Sequence, residues 1–341
     1  MKGVWLACKP FDMSFDAKHQ CEPHINANYK LQTEVYMVTA TSNGYFRSKI
    51  REIKRHTGKY LMISPFFAFF TVFTIIPVIA AITLGFTDFN LLEIPSFVGL
   101  SNYLKLLLDD SIFITSVINT MLFALITGPL SFILCFIMAW FVNELSPKFR
   151  TAMTFLFYAP VLSGNIYMLW QFIFSGDIYG WINGVLMSFG ITQEPIMWLR
   201  DPRYMLGVIM LVQLWMSLGT SFLAFIAGLQ SVDRNLYEAA AVDGVRNRWQ
   251  ELFYVTLPSM GPQLLFGAVM QISVTFAAGR ICIDLAGLPS TDYAASTIVT
   301  HAMDYAYLRY EMGYACAIAT VLFMMMLTIN KYIRNKLRKY I

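Results

Sequence analysis

Six stretches without Asp, Glu, Lys or Arg, residues 60–87, 111–143, 151–176, 204–232, 252–279 and 312–330, each come close to or exceed the roughly 20 apolar residues of a membrane-spanning helix. Inside a bilayer no water pairs the backbone, so uninterrupted apolar runs of this length are helical. Composition agrees: 57% of residues are hydrophobic and 13% charged, against about half and a quarter in soluble domains. The reading is an all-α membrane protein with spans at about 61–86, 112–142, 151–175, 204–230, 258–282 and 312–332. A seventh run, 178–193, is shorter and interrupted by Gly180, Asn183, Gly184 and Gly190. It is expected to lie on the outer membrane face or re-enter it rather than cross.

Lys and Arg are retained on the cytoplasmic side, so the loops give an orientation. One side carries Arg47, Lys49, Arg51, Lys54, Arg55, Lys59, Lys148, Arg150, Arg234, Arg246, Arg248, Lys331, Arg334, Lys336, Arg338 and Lys339. The opposite loops hold Lys105, Arg200, Arg203 and Arg309 among many carboxylates. Both termini and the loop after span four are therefore expected in the cytoplasm. The net charge of +4 is what that asymmetry leaves, and basic clusters beside anionic lipid explain it better than nucleic acid does.

Domain organisation follows the same pattern. Residues 60–334 form the membrane domain, 47–59 a basic segment and 335–341 a basic tail. The basic segment is expected as a short helix on the inner leaflet ahead of Pro65, or as a solvated charge run that only fixes topology. Residues 1–46 have no long apolar core and no signal-peptide order; they read as a disordered extension, or as upstream sequence with Met37 the true start. Cys8, Cys21, Cys135, Cys282 and Cys316 lack CxxC spacing, and no histidine pair shows HExxH spacing, so a metal or redox centre is not expected.

The loop between spans four and five is the most specific segment. Residues 238–258 read EAAAVDGVRNRWQELFYVTLP. Ser231 or Asp233 suits an N-cap, and residues 235–243 are strong helix formers. Gly244 supplies the permissive backbone that reverses the chain, and a second helix from about Asn247 carries Trp249, Leu252 and Phe253 until Pro258 interrupts it. Two short helices at an angle make a knob. Its alanines form a smooth ridge, Leu236 and Tyr237 offer anchors, and Glu238 and Asp243 can pair with a basic partner. A DNA-binding helix-turn-helix fails on charge, since the acidic residues Asp233, Glu238, Asp243 and Glu251 nearly balance the basic ones.

This segment resembles the EAA loop of membrane subunits of binding-protein-dependent ABC importers, most closely those of the carbohydrate-uptake family. Supporting stretches are FTIIPVIAAITLGFTDFN, FVGLSNYLKLL, NTMLFALITGPLSFIL, FLFYAPVLSG and MGYACAIATVLF. The resemblance implies a six-helix type I importer transmembrane domain, not an enzyme, serving as a pore subunit for a sugar. It implies that Leu236, Tyr237, Glu238, Ala239, Ala240, Asp243 and Gly244 form the surface docked by an ATP-hydrolysing subunit. The implied partners are an ATPase dimer, a second related permease and an extracytoplasmic solute-binding protein. This chain has no GxxxxGK[ST] phosphate loop, so ATP and Mg²⁺ belong to the partner ATPase and no cofactor is expected here. Two departures stand out: one extra residue between Gly244 and the Val255-Thr256-Leu257-Pro258 end, expected to rotate the second helix, and IDLAGLPSTD in place of the usual glycine run after span five.

Polar and aromatic groups inside spans are expensive unless they face a partner or a cavity. Candidates for a substrate path are Asn165, Trp170 and Gln171 in span three, Gln213, Trp215 and Ser217 in span four, and Gln271, Thr275 and Arg280 in span five. Interhelical hydrogen bonding is the plain alternative for each, and Arg280 can pair with Asp284 one turn later. A self-sufficient secondary carrier is the competing class. It needs buried carboxylates for ion coupling, and none lies within the six charge-free stretches.

Overall fold

The computed structural model describes residues 56–163 and 166–337. The expectations for 1–46, for most of the basic segment, and for the end of the tail lie outside them. The chain divides at Thr74 into two units. The described part of the first is α1 (Thr57–Phe70), which runs into a π-helical turn, Thr71–Ile75. Pro65 does not open this helix, as the sequence suggests, but sits within it. A proline there leaves the carbonyl four residues earlier without its amide donor. Ser64 Oγ donates to that carbonyl, on Leu61, at 2.9 Å.

The second unit runs α2 (Ile76–Leu84), α3 (Ser101–Leu108), α4 (Ser111–Asn143), α5 (Pro147–Leu162), α6 (Ile166–Ile173) and α7 (Trp181–Ser188). It continues through α8 (Pro202–Met216), α9 (Thr220–Ser231), α10 (Arg234–Val242), α11 (Arg248–Ser259) and α12 (Gly261–Phe276). α13 (Arg280–Ala286), α14 (Ile298–Met303) and α15 (Met312–Leu337) complete it. Among the described residues four segments are long and apolar enough to cross a membrane: Thr57–Leu84, Ser111–Asn143, Pro202–Ser231 and Met312–Lys336. Two pairs, α5 with α6 and α11 with α12, qualify when each counts as one span, bent by 86° and 82°. The run at 178–193 yields only the 8-residue α7. At 1.5 Å per residue that is about 12 Å, far short of a bilayer core.

α4, α9 and α12 pack around one apolar cluster that includes Cys135, Phe136, Ala139, Phe222, Phe225 and Met260. Phe225 meets Phe132 and Phe136 edge-on, at 5.3 and 5.7 Å between ring centroids. Gly267 of α12 faces the Phe225 ring, where a Cβ would collide. Small residues let helices approach closely where lipid provides no hydrophobic drive between them.

Charge-free length also hides where helices break. The fourth stretch is not one helix: it breaks at Ser217–Gly219, where Gly219 takes φ −112°, ψ −132°. A break in a membrane frees carbonyls that must be paired from inside the protein. The Ser217 carbonyl accepts from Gly219 N–H at 2.7 Å, Cys135 Sγ at 3.1 Å and Gln271 Nε2 at 3.3 Å. The fifth stretch ends α12 at Phe276, turns through Ala277–Gly279 and resumes as α13. Thr297 Oγ1, itself in a capping box at the start of α14, donates to the Ala278 carbonyl at 3.2 Å.

Pro258 is likewise not the interruption. It sits in the first turn of the short helix Leu257–Ser259, and the bend falls two residues on, at Met260 ahead of Gly261 and Pro262. Between Leu252 and Thr256 the chain winds as a π turn. Such a turn holds one residue more than an α turn.

Candidate functional site

The knob is built as a Schellman-closed pair of helices. Asp233 caps α10, its side chain accepting from Asn235 N–H at 3.0 Å. At the other end Val245 N–H donates to the Ala240 carbonyl at 3.0 Å and Gly244 N–H to Ala241 at 3.3 Å. This double bond pattern needs a left-handed residue at the turn, and Gly244 sits at φ +95°. Asn247 caps α11.

The surface this presents is open. No residue of α10 is buried; Leu236, Glu238, Ala239, Asp243 and Gly244 are exposed, Ala240 is half-buried, and Val242 is 88% exposed. Tyr237 is partly buried. Its hydroxyl lies 2.9 Å from Thr256 Oγ1, so it fastens the first helix of the knob to the second. Leu252, Val255 and Thr256 are buried. Arg248 bridges Glu251 at 2.8 Å and Glu144 at 3.5 Å, and these two carboxylates, Glu251 foremost, raise its guanidinium pKa further. Trp249 lies 5.0 Å from Trp140 between ring centroids.

The residues singled out for a substrate path separate into two groups, with Asn165 outside the described residues. Ser217, Gln271 and Thr275 lie together inside the bundle. Gln271 Nε2 reaches Cys135 Sγ at 3.1 Å as well as the Ser217 carbonyl, and Thr275 Oγ1 donates back to the Gln271 carbonyl at 3.0 Å. This bridge closes the helix break described above, which is the structural use of intramembrane polar groups. Gln213 is also buried.

Trp170, Gln171, Trp215 and Arg280 belong to the second group, near the junction of α6, α8 and α13. Trp170 packs edge-on to Trp215 at 5.2 Å and stacks with Phe174 at 5.9 Å. The Gln171 amide donates to the Asp284 carbonyl, and Arg280 pairs with the Asp284 carboxylate at 3.3 Å. Beside them opens a cavity of about 480 Å³ lined by Gln171, Ser175, Asp177, Arg200 and Asp284 among others. Trp170 and Trp215 do not line this cavity; the Gln171, Ser175, Asp177, Arg200 and Asp284 groups that do can hydrogen-bond the hydroxyls of a polyhydroxylated molecule.

Sequence reasoning missed a third polar assembly. Asp110 caps α4, accepting from Phe113 N–H at 2.9 Å, and its carboxylate also meets Tyr314 Oη and His301 Nε2, each at 2.8 Å. His301 is 1% exposed. Burial pushes the Asp110 carboxyl up, but the Phe113, Tyr314 and His301 donors outweigh it and hold it below the usual carboxylate range. Asp110 and His301 lie 191 residues apart, and Asp110 falls just outside a charge-free stretch. A second miss is Asn183, fully buried at 0% exposure, which pins α7 by bonds to Ser175, Asp177, Ile196 and Trp198. Among the described residues no cluster of three His, Cys, Asp or Glu could hold a metal ion.

A helical membrane domain with broken spans around a central bundle, and a two-helix knob projecting from one loop, defines a transport subunit of the importer type. The sequence relationship is specific: residues 131–339 match the binding-protein-dependent transport system inner membrane component family, and the chain belongs to that family. It is a multi-pass membrane permease component. It is 33% identical to the probable ABC transporter permease protein YesP of Bacillus subtilis over 281 residues, 80% of this chain and 88% of that one. It is 29% identical to the arabinooligosaccharides transport system permease protein AraP of the same organism, over 80% of this chain and 85% of the relative. In structure it is similar to the bacterial ABC transporter that imports the acidic polysaccharide alginate, with TM-score 0.65 and 24% identity, covering 84% of this chain and 98% of the other. A second structure of an alginate transporter, in complex with an alginate pentasaccharide-bound periplasmic protein, gives TM-score 0.67 at 23% identity.

Proposed function

We propose that this permease carries a sugar or oligosaccharide and is powered by a separate ATPase dimer that grips the 234–251 knob from the cytoplasm. The observation that carries this reading is the knob itself: an uncovered α10 closed by a Schellman turn and fastened to a second helix anchored by the buried Leu252, Val255 and Thr256. A surface of that kind, exposed but stiff, transmits displacement. Closing of the ATPases around ATP and Mg²⁺ moves it as a rigid body, and the spans it joins reorient to give alternating access. A second related permease completes the pore and an extracytoplasmic binding protein delivers the sugar. The sugar assignment is supported by the similarity to the arabinooligosaccharide permease AraP and to the alginate transporters, and by the polar cavity near Asp284.

The test is Ala240→Arg in the full-length, tagged permease expressed in its native host. The variant is expected to insert at near-normal abundance, to lose co-purifying ATPase and to abolish sugar uptake. Retention of both at wild-type levels would show that this loop is not the docking surface.

A further inference from the structure

Resting on the reading of the knob as the ATPase docking surface, we infer that Trp140 and Glu144, at the end of α4, form a clasp that makes this span move with the knob. Chain connectivity ties the knob to α9 and α12, and Leu252 shares a buried cluster with Phe222 and Leu229 of α9. Contacts tie it to α4 as well, at three separate points.

The first is apolar: Leu252, 4% exposed, shares a cluster with Ala139 and Val142 on the inward side of α4. The second is the Trp140–Trp249 ring contact at 5.0 Å. The third is Arg248, whose guanidinium spans Glu251 of its own helix and Glu144 at the C-cap of α4. An exposed ion pair alone contributes little, but here it flanks a ring contact and a buried leucine on one side of α11. α10 makes no such attachment; its described side-chain link runs through Tyr237 to Thr256, back onto the second helix. Displacement of α10 reaches α9 directly along the chain and reaches α4 by way of α11, which is planted on it. α4 is one 33-residue helix whose far end carries the Asp110 cap, bonded to His301 and Tyr314. A push on the knob is thus delivered along the full membrane thickness, with Trp140 and Glu144 acting as positioning residues.

Two measurements on the complex purified from the native host test this. Trp140→Ala is expected to keep the ATPase bound and hydrolysing ATP while sugar transported per ATP falls at least tenfold, and Trp140→Phe is expected to recover most of it. An unchanged ratio in Trp140→Ala overturns the inference. In the second, Glu144→Cys and Arg248→Cys are joined by a short bifunctional maleimide. If the two segments move together, the cross-linked protein transports within about twofold of the reagent-treated single-cysteine variants, and a loss beyond tenfold overturns the inference. Failure here, with Ala240→Arg still releasing the ATPase, refutes the clasp and leaves the docking surface standing; ATPase retained by Ala240→Arg refutes the docking surface instead.

Discussion

Replacing Gly244 by Val isolates the cost of one backbone conformation. A Cβ added there meets nothing within 4 Å, so no side chain is displaced and the whole effect comes from the main chain. At φ +95° a β-branched residue pays about 1–2 kcal/mol for the left-handed region. Relaxing that strain loosens the Val245 to Ala240 and Gly244 to Ala241 bonds, each contributing about 1 kcal/mol net. The turn takes the cheaper of the two, so a net of about 1–2 kcal/mol corresponds to a rise of about 5- to 30-fold in its opening constant, at about 1.4 kcal/mol per factor of ten. Hydrogen exchange on the purified protein in detergent reads this directly. Peptides covering 239–247 are expected to exchange faster by that factor, while peptides from the middle of α4 stay as protected as in the wild type. Gly244→Asn, whose side chain tolerates positive φ, is expected to show a smaller rise. Equal protection of the turn in Gly244→Val and wild type would refute the strain argument, and faster exchange throughout α4 would show that the damage is global.

At Gly313 the opposite situation holds, because a Cβ there would run into the Thr87 carbonyl and the Phe89 amide, which are backbone and cannot step aside. Gly313→Ala is expected to cost about 1–3 kcal/mol in thermal unfolding, and an unchanged Tm would refute it. For Asp110, a carboxyl held below its ordinary value stabilises the fold above about pH 4, and that contribution is lost as pH falls through the folded-state value. Asp110→Asn is expected to lose about 1–3 kcal/mol at pH 7 and to flatten the acid limb of the stability profile; a limb as steep as the wild type's would contradict this. For orientation, Asp292→Cys is expected to react with an impermeant thiol reagent on intact cells and Asn247→Cys to stay unlabelled, and equal labelling of the two would reverse the proposed topology.

Several features were settled by local sequence because their physics is local. Apolar runs of about 20 residues cannot be anything but membrane helices, since an unpaired backbone in lipid is too costly. The knob was legible for a similar reason: a capping Asp233, a run of alanines and Gly244 specify helix, stop and reversal within a dozen residues. Hydropathy carries no information about where a helix breaks inside a span. The gap at Ser217–Gly219 exists because Cys135 and Gln271, 82 and 54 residues away, arrive to satisfy the freed Ser217 carbonyl. Gln271, a polar residue inside a span by sequence, is held in a buried bridge by its neighbours. Tyr237, expected as an anchor from its sequence, is partly buried with its hydroxyl 2.9 Å from Thr256 Oγ1, 19 residues on. Asp110, His301 and Tyr314 carry no shared motif. Only the packing of α4 against α14 and α15 brings one carboxylate within 2.8 Å of both partners, and burial then makes that contact matter. Periodicity and capping act within a turn or two of the chain, whereas satisfying a buried polar group depends on whichever helix lies alongside, and that is decided in three dimensions.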